Sequence, residues 1–371
     1  MCGIIGYSGH RPAVPVLMEG LARLEYRGYD SAGVGFVQAG DLEVIRAEGK
    51  LVNLENKLAE HNVLNATSGV GHTRWATHGV PVERNAHPHR DHKNRIALIH
   101  NGIIENYQEI RRELQDKGVT FASETDTEVL TNLIAECIDE AGDAMQGLCA
   151  ALARVEGAYA IAFVRLDEPD AIYAARLSSP LVLGLGTGEN FVASDIPAFL
   201  PYTRDVVFLE DGELVRITAS DWGVYSAGDC APVDKEPQRI TWDVQAAQKG
   251  GHKHFMTKEI FEQPKVIADC TTGRMDQEHG RVRLPELDGM PVPERIHIVA
   301  CGTSYHAGLW GMYLLEQWAG IPVEVEIASE FRYRDPLLPP GGLVLAISQS
   351  GETADTLAGI RLARDKGLPV L

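Results

Sequence analysis

The cysteine at position 2 is the strongest candidate for a reactive side chain in this chain. It precedes Gly3 and an apolar run. If Met1 is removed, Cys2 carries a thiol and a free α-amine, whose pKa of roughly 7.7 to 8.0 lets it take the thiol proton. The thiolate can then attack a carbonyl without a histidine base. The alternative is an ordinary small residue at the start of a strand.

A thiolate that attacks an amide needs partners for the charges of its substrate. The side chain of Asn101 and the backbone N–H of Gly102 would supply donors to an oxyanion. For an amino-acid substrate, Arg74 would hold the α-carboxylate with two hydrogen bonds, and Asp126 would hold the α-ammonium.

Histidines are concentrated between residues 72 and 100, but their spacing does not predict a metal centre. They show no H-x-x-x-H pattern and no paired Cys/His spacing, and we expect neither a metal nor a cofactor. His78, between Thr77 and Gly79, instead fits a loop residue that closes over the substrate. The histidines concerned are His72, His78, His87, His89, His92 and His100.

These residues lie in a segment of short apolar runs and glycine turns, which predict β-strands. Helical spacing occurs at 104–114 and again after Thr125, where Thr125 and Glu128 have capping-box spacing. Strands that enclose helices predict a layered α+β domain. The predicted strands are 2–7, 32–38, 42–47, 68–73, 95–100, 158–166, 171–175, 181–186, 191–194 and 206–209.

The pattern changes after residue 226. Gly, Asp, Pro, Lys and Gln dominate there, and we place a linker at 241–251, between domains at 2–240 and 252–371.

Two similar units follow a helical stretch in the second domain. Residues 296–301 and 343–347 are strands that each run into a Gly/Ser/Thr loop and a helix, which predicts a parallel α/β sheet, and 367–371 indicates the opening of a third strand. Helix N-termini with flanking hydroxyls, here Ser348, Ser350 and Thr353, can bind a phosphate without lysine. The alternative is that these residues are N-caps only.

The composition argues against several classes of partner. With 34 Lys and Arg against 52 Asp and Glu, the formal net charge is -18, which disfavours nucleic acid and anionic membranes. The six cysteines show no C-x-x-C spacing and indicate neither a disulfide framework nor a zinc site. No stretch has the roughly 18 apolar residues of a membrane span, and no secretory signal is present. We therefore expect a soluble, cytoplasmic protein.

Short motifs rich in polar residues occur along nearly the whole chain. They are CGIIGY at 2–7, LEYRGYDSAG at 24–33, GHTRWATHG at 71–79, NAHPH at 85–89, HNGIIENY at 100–107, SETDTE at 123–128, ACGTSY at 300–305, SEFRYR at 329–334 and SQSGETADTL at 348–357. Together they closely resemble the glutamine:fructose-6-phosphate aminotransferases (isomerizing), the glucosamine-6-phosphate synthases. The last three look like the first sugar-isomerase subdomain of that family.

The resemblance implies a class II glutamine amidotransferase. Its fold would be an α+β N-terminal-nucleophile glutaminase domain, a layered α/β/β/α sandwich, followed by a partial α/β parallel-sheet sugar-isomerase domain. Ammonia from glutamine would pass to fructose 6-phosphate and yield glucosamine 6-phosphate. The family also implies a homodimer through the isomerase domain.

The resemblance also assigns roles to matching residues. Cys2 would be the nucleophile, and Asn101 and Gly102 would form the oxyanion hole. The residues that bind glutamine would be Arg74, Trp75, Thr77, His78 and Asp126, with Trp75 on the loop that gates the ammonia channel. The residues that bind the sugar phosphate would be Thr303, Ser304, Ser348, Gln349, Ser350 and Thr353.

Family members have two isomerase subdomains, whereas the motifs here match one. The resemblance therefore implies glutamine hydrolysis in this chain and incomplete sugar chemistry. One alternative is a non-catalytic regulatory remnant that binds sugar phosphate, and another is a different amidotransferase of the N-terminal-nucleophile class. Cys2 favours an enzyme, because a binding module has no use for an N-terminal thiol. The serine-rich loops argue against the other amidotransferases.

Overall fold

The computed structural model describes residues 2–61, 66–75, 80–241, 252, 255–272, 274–276, 279–282, 284–349, 351 and 353–371. The chain divides into two compact units, Met1–Phe255 and Met256–Leu371, called the first and the second unit below. The linker predicted at 241–251 lies outside the described residues except for Thr241. The predicted domain boundaries stay predictions. Among the described residues, no helix is both long and apolar enough to cross a membrane.

Two antiparallel sheets form the middle of the first unit. Their strands are β1 (Gly3–Gly9), β2 (Ser31–Gln38), β3 (Asp41–Glu48), β4 (Ser68–Arg74), β5 (His89–Arg90), β6 (Ile96–Ile104), β7 (Gly157–Arg165), β8 (Ile172–Leu177), β9 (Val182–Leu185), β10 (Glu189–Ala193), β11 (Asp205–Phe208), β12 (Glu213–Ile217), β13 (Trp222–Ser226), β14 (Pro232–Val233) and β15 (Gln238–Arg239). The eight-stranded sheet has the order β15-β11-β9-β10-β1-β4-β2-β3, and the seven-stranded sheet has the order β14-β13-β12-β8-β7-β6-β5.

Helices cover the outer faces of both sheets. One hydrophobic core joins the first two helices to the eight-stranded sheet, and another joins the next three to the seven-stranded sheet. A third core, which includes Ile4 and Ile99, lies between the sheets. This layering confirms the predicted α/β/β/α sandwich. The helices are α1 (Ala13–Leu24), α2 (Leu51–Glu60), α3 (Tyr107–Asp116), α4 (Asp126–Ala141) and α5 (Ala144–Leu152).

Three of these helices, α1, α2 and α5, were not predicted from the sequence. In α1, Pro15 lies in the first turn, where proline is tolerated, but Gly20 lies in the interior, where glycine lowers helix propensity. A Cβ at Gly20 would collide with the Ile5 side chain on β1. Close packing on β1 therefore requires a residue that local propensity disfavours.

The predicted start of α4 is confirmed. The Thr125 side chain accepts the backbone N–H of Glu128 at 3.3 Å. In a complete capping box, the Glu128 carboxylate would accept the backbone N–H of Thr125. Here it accepts the backbone N–H of Ser123 instead, at 2.6 Å. The other predicted helix begins at Tyr107 instead of 104, because Ile104 is the last residue of β6.

A parallel sheet forms the core of the second unit, as predicted. In it, β18 (Arg295–Ala300) pairs in parallel with β19 (Val323–Ile327) and with β20 (Gly342–Ile347). Val370 forms a parallel bridge to Val344, in the segment where a further strand was predicted. The other elements are β16 (Met275–Asp276), β17 (Arg281–Val282), α6 (Phe255–Thr271), α7 (Gly302–Ala319), α8 (Ala328–Tyr333) and α9 (Ala354–Asp365).

A disulfide joins Cys149 on α5 to Cys230, which follows β13. The two Cα atoms are 6.2 Å apart, within the usual range for a disulfide. The bond connects a helix to the edge region of the seven-stranded sheet. It corrects the expectation drawn from cysteine spacing, because residues 81 positions apart show no spacing pattern that could pair them.

Candidate active site

The thiol of Cys2 lies where the ends of β1 and β4 meet. Gly3 is paired with Thr73 in the register of these strands, so Cys2 lies beside the residues that end β4. The Trp75 backbone N–H donates to Cys2 Sγ at 3.0 Å, and the thiol donates to the Trp75 carbonyl at 3.4 Å. A Cβ at position 3 would lie only 2.6 Å from Thr73 Oγ1, so this approach of the two strands requires glycine.

The surroundings of the Cys2 thiol keep it protonated. Burial raises the pKa of the thiol above its usual value and is the largest effect. The Trp75 N–H and the Arg74 guanidinium act in the opposite direction. Because burial dominates, a base must remove the proton before the sulfur can act as a nucleophile.

Asn101, on β6, reaches Cys2 from the other sheet. Its Nδ2 donates to the Cys2 carbonyl oxygen at 2.9 Å, and its Oδ1 accepts a hydrogen bond from His72 Nε2 at 2.9 Å. The Asn101 amide has two N–H donors, so one remains for a substrate oxygen. The structure thus brings Asn101 and Cys2 together.

Gly102 follows Asn101 with a backbone conformation that suits glycine. Its φ is 132°, and it is paired with Tyr159 on β7. A Cβ at this position would collide with the carbonyl oxygen of Ala158. The path of the chain beside Asn101 therefore depends on the absence of a side chain at position 102.

Arg74 and Asp126 bring buried charges of opposite sign to the same site. Arg74 ends β4, and Asp126 is the first residue of α4. Asp126 Oδ2 accepts the backbone N–H of Ile104 at 2.9 Å, which orients the carboxylate. Burial is the largest effect on the pKa of Arg74 and lowers it, while the Cys2 and Asp126 groups offset part of this change. A guanidinium nevertheless stays charged, so Arg74 supplies a permanent positive charge.

Trp75 lies at the rim of the site. Its side chain is 47% exposed, and its ring contacts Tyr29 edge-on with the centroids 5.5 Å apart. The next two residues expected to bind glutamine, Thr77 and His78, lie outside the described residues.

Four buried histidines form a cluster next to Asn101. The His72 and His87 rings are 4.3 Å apart, and His87 lies 5.1 Å from His89 and 6.5 Å from His100. Burial lowers the pKa of His72 to about 3, and it holds the pKa of His87 and of His89 well below the usual value. These three histidines are therefore neutral near pH 7.

The two loops predicted to bind phosphate begin at the same edge of the second unit's sheet. Ala300 and Ile347, which end β18 and β20, are partners in the parallel register. Thr303 and Ser304 lie in the first turn of α7, and Thr353 immediately precedes α9.

Some polar side chains of these loops are exposed to solvent, whereas Ser304 and Thr353 are half-buried. Thr303, Ser348 and Gln349 are exposed, and Ser348 Oγ accepts the backbone N–H of Gly351 at 2.9 Å. Thr353 makes no side-chain cap bond, so it does not serve α9 as a side-chain cap. Ser350 lies outside the described residues.

His72 and Tyr29 contact site residues but were not predicted to belong to the site. From its spacing alone, His72 is only a candidate metal ligand. A usable signal was the two-residue period of β4, which places His72 and Arg74 on one face of the strand. The contact of Tyr29 with Trp75 has no comparable local signal, because it joins separate segments.

Comparisons with known proteins place both units in described families. The family "Glutamine amidotransferase domain" matches residues 72–201, and "SIS domain" matches residues 292–371. The chain is 52% identical over 377 residues to the glutamine–fructose-6-phosphate aminotransferase (isomerizing) of Symbiobacterium thermophilum, covering 100% of this chain and 61% of that protein. The relative of the same name from Thermus thermophilus is 51% identical to this chain. That alignment covers 99% of this chain and 60% of that protein. The chain thus spans about three fifths of the length of these curated relatives.

Two solved structures have a similar fold. The glutamine phosphoribosylpyrophosphate amidotransferase of B. subtilis, complexed with ADP and GMP, gives a TM-score of 0.53 at 20% identity over 93% of this chain and 75% of that chain. The allosteric regulatory enzyme of purine biosynthesis gives a TM-score of 0.55 at 20% identity over 100% of this chain and 80% of that chain. Such low identity shows the fold alone.

Proposed function

Because the chain belongs to the family of glutamine–fructose-6-phosphate aminotransferases, we propose that its first unit hydrolyses glutamine to glutamate and ammonia with Cys2 as the nucleophile. One observation carries this proposal. The Cys2 thiol, the Asn101 amide and the buried charges of Arg74 and Asp126 come from separate segments and meet at one site. Such a set of groups suits an amino-acid amide.

The two buried charges would orient glutamine. The Arg74 guanidinium would hold the α-carboxylate through two parallel hydrogen bonds, and the Asp126 carboxylate would hold the α-ammonium. Because both side chains are buried, water screens these attractions only weakly. Thr77 and His78 would complete the binding site, with Trp75 at its rim. The side-chain amide of glutamine would then face Cys2.

The attack requires a base for the thiol. Removal of Met1 would free the α-amine of Cys2, which takes the thiol proton and offsets the effect of burial. The thiolate attacks the amide carbon, and the second Asn101 N–H and the Gly102 N–H stabilise the oxyanion. The amine returns the proton to the leaving nitrogen, ammonia departs, and water hydrolyses the thioester to glutamate.

The second unit supports a further part of the proposal. Its two adjacent loops would bind the phosphate of fructose 6-phosphate through Thr303, Ser304, Ser348, Gln349, Ser350 and Thr353. Formation of glucosamine 6-phosphate, which the names of the relatives describe, is proposed as the overall reaction. A homodimer through the isomerase domain and a cytoplasmic location belong to the same proposal.

A cysteine comparison tests the nucleophile. Cys2→Ser should bind glutamine but lose about 10³-fold or more in kcat for hydrolysis, because a serine hydroxyl ionises far less readily than a thiol. Cys270→Ser is the matched control, since Cys270 is a free, exposed cysteine on α6. Mass spectrometry of the amino terminus accompanies the assay. A mature protein that keeps Met1 and hydrolyses glutamine at full rate would refute the mechanism.

A further inference from the structure

His72 links the candidate oxyanion residue to the buried histidine cluster. It belongs to β4 in the eight-stranded sheet, whereas Asn101 belongs to β6 in the seven-stranded sheet. The hydrogen bond between them therefore crosses the interior between the two sheets. His72 and its other ring nitrogen, Nδ1, are fully buried, and the backbone of His100 also interacts with the ring.

The chemistry of the two atoms sets the direction of this hydrogen bond. Asn101 Oδ1 carries lone pairs and no hydrogen, so His72 Nε2 must carry the shared proton. The ring is neutral near pH 7, because burial lowers the pKa of His72 to about 3. Its single N–H is consequently the one that binds Asn101.

This N–H determines which end of the Asn101 amide faces Cys2. With Oδ1 held by His72, Nδ2 lies 2.9 Å from the Cys2 carbonyl oxygen. If the amide were rotated by half a turn, His72 would have to carry its proton on Nδ1 so that Nε2 could accept from Asn101 Nδ2. Two oxygen atoms would then face each other at the Cys2 carbonyl. That contact costs free energy in a buried site, because it leaves the carbonyl without its hydrogen bond.

We propose that His72 is a positioning residue, which holds the Asn101 amide with its donor toward the oxyanion formed on glutamine. The inference rests on the proposed function, because it requires an oxyanion beside Cys2. The His87 ring, 4.3 Å away, packs against the imidazole and restricts its movement. Loss of the His72 N–H should therefore affect turnover more than glutamine binding.

Three variants separate the N–H group from the bulk of the ring. His72→Phe keeps an aromatic ring without a donor, and His72→Gln places an amide N–H near the position of Nε2. The control is His92→Phe, because exposed His92 also contacts an asparagine oxygen, Asn132 Oδ1, at 3.0 Å. We expect H72F to lower kcat about 10- to 100-fold with KM changed by less than about threefold, and H72Q to recover most of the loss. H92F should leave both constants within about twofold of the unmodified chain.

A double variant tests whether His72 acts through Asn101. Adding H72F to Asn101→Ala should cause no further loss of kcat, because the group being positioned is already absent. Circular dichroism checks the fold of each variant, and His72→Met takes the place of H72F if the latter does not fold. An unchanged kcat in H72F, or a further loss in the double variant, would overturn the proposal. Absence of hydrolysis by the unmodified chain would instead overturn the proposed function, and this inference with it.

Discussion

The two units contain candidate sites that are built in opposite ways. In the first unit, Asn101 and Asp126 are buried, and protein groups orient both side chains without a ligand. In the second unit, Thr303, Ser348 and Gln349 are exposed at the ends of adjacent strands. Stabilising an oxyanion requires donors that are oriented in advance, whereas a phosphate can itself gather hydroxyl and N–H groups at a helix terminus. The first site should therefore be far more sensitive to substitution.

Among substitutions that keep the Cys2 nucleophile, the largest effect is expected at the oxyanion donor. Asn101→Ala should lower kcat for glutamine hydrolysis by about 10²- to 10³-fold with little change in KM, because this donor acts mainly on the developing charge. Asn106→Ala is the control, since its Nδ2 binds the Arg154 carbonyl at the surface, at 2.8 Å. Steady-state kinetics distinguish the two. A change in KM alone would remove Asn101 from the oxyanion hole.

The buried histidines should make the first unit sensitive to acid. The folded-state pKa values of His72, His87 and His89 are lowered by burial, so the unfolded chain binds more protons below about pH 6.5. Their contribution to stability is fully present above that pH and is lost as the pH falls. Well below pH 6.5, each histidine should remove roughly 1 kcal/mol from the unfolding free energy per pH unit.

Urea denaturation at pH 7.5, 6.5 and 5.5 measures this acid sensitivity. The slope of the unfolding free energy against pH reports how many more protons the unfolded chain binds than the folded chain. His87→Gln should reduce this number by about one, whereas His10→Gln, at an exposed position, should leave it unchanged. Equal slopes for the two variants would contradict the assignment of His87 as a neutral core residue.

Glutamine affinity should depend on the shape of the Arg74 side chain as well as its charge. Arg74→Lys keeps the charge but loses the two parallel hydrogen bonds, and it should weaken binding by about 1.5–3 kcal/mol. The matched change is Arg84→Lys, because Arg84 forms a surface ion pair with Glu124 at 2.9 Å. Equilibrium binding of glutamine to the Cys2→Ser protein gives both affinities. Equal affinities would argue against contact between Arg74 and the α-carboxylate.

The smallest effect is expected in the second unit. Ser348→Ala should weaken binding of fructose 6-phosphate by about 0.5–1.5 kcal/mol, because it removes one of several hydroxyl donors. It should leave glutamine hydrolysis unchanged. Calorimetry with Thr271→Ala as the control tests this, since the Thr271 hydroxyl bonds to carbonyls of its own helix. A loss of hydrolysis in S348A would contradict the contrast between the units.

The sequence determined features that depend on local order. Alternating apolar runs predicted most strands of the sandwich, the Thr125–Glu128 spacing predicted the start of α4, and the repeated strand and loop predicted the parallel sheet. The sequence also identified Cys2 as a candidate nucleophile and Asn101 as a candidate hydrogen-bond donor, because these roles depend on residue type. Period and capping patterns act within a few residues, so they can be read without the fold.

Only the tertiary structure decided how the site is assembled. Cys2 meets the Trp75 backbone across 73 residues and Asn101 across 99, while His72 binds Asn101 across 29 residues and between two sheets. The disulfide joins residues 81 positions apart. Such contacts depend on strand register and on how the two sheets face each other, and both follow from packing of the whole core. No local pattern encodes them, which is why the orienting role proposed for His72 rests on the tertiary structure.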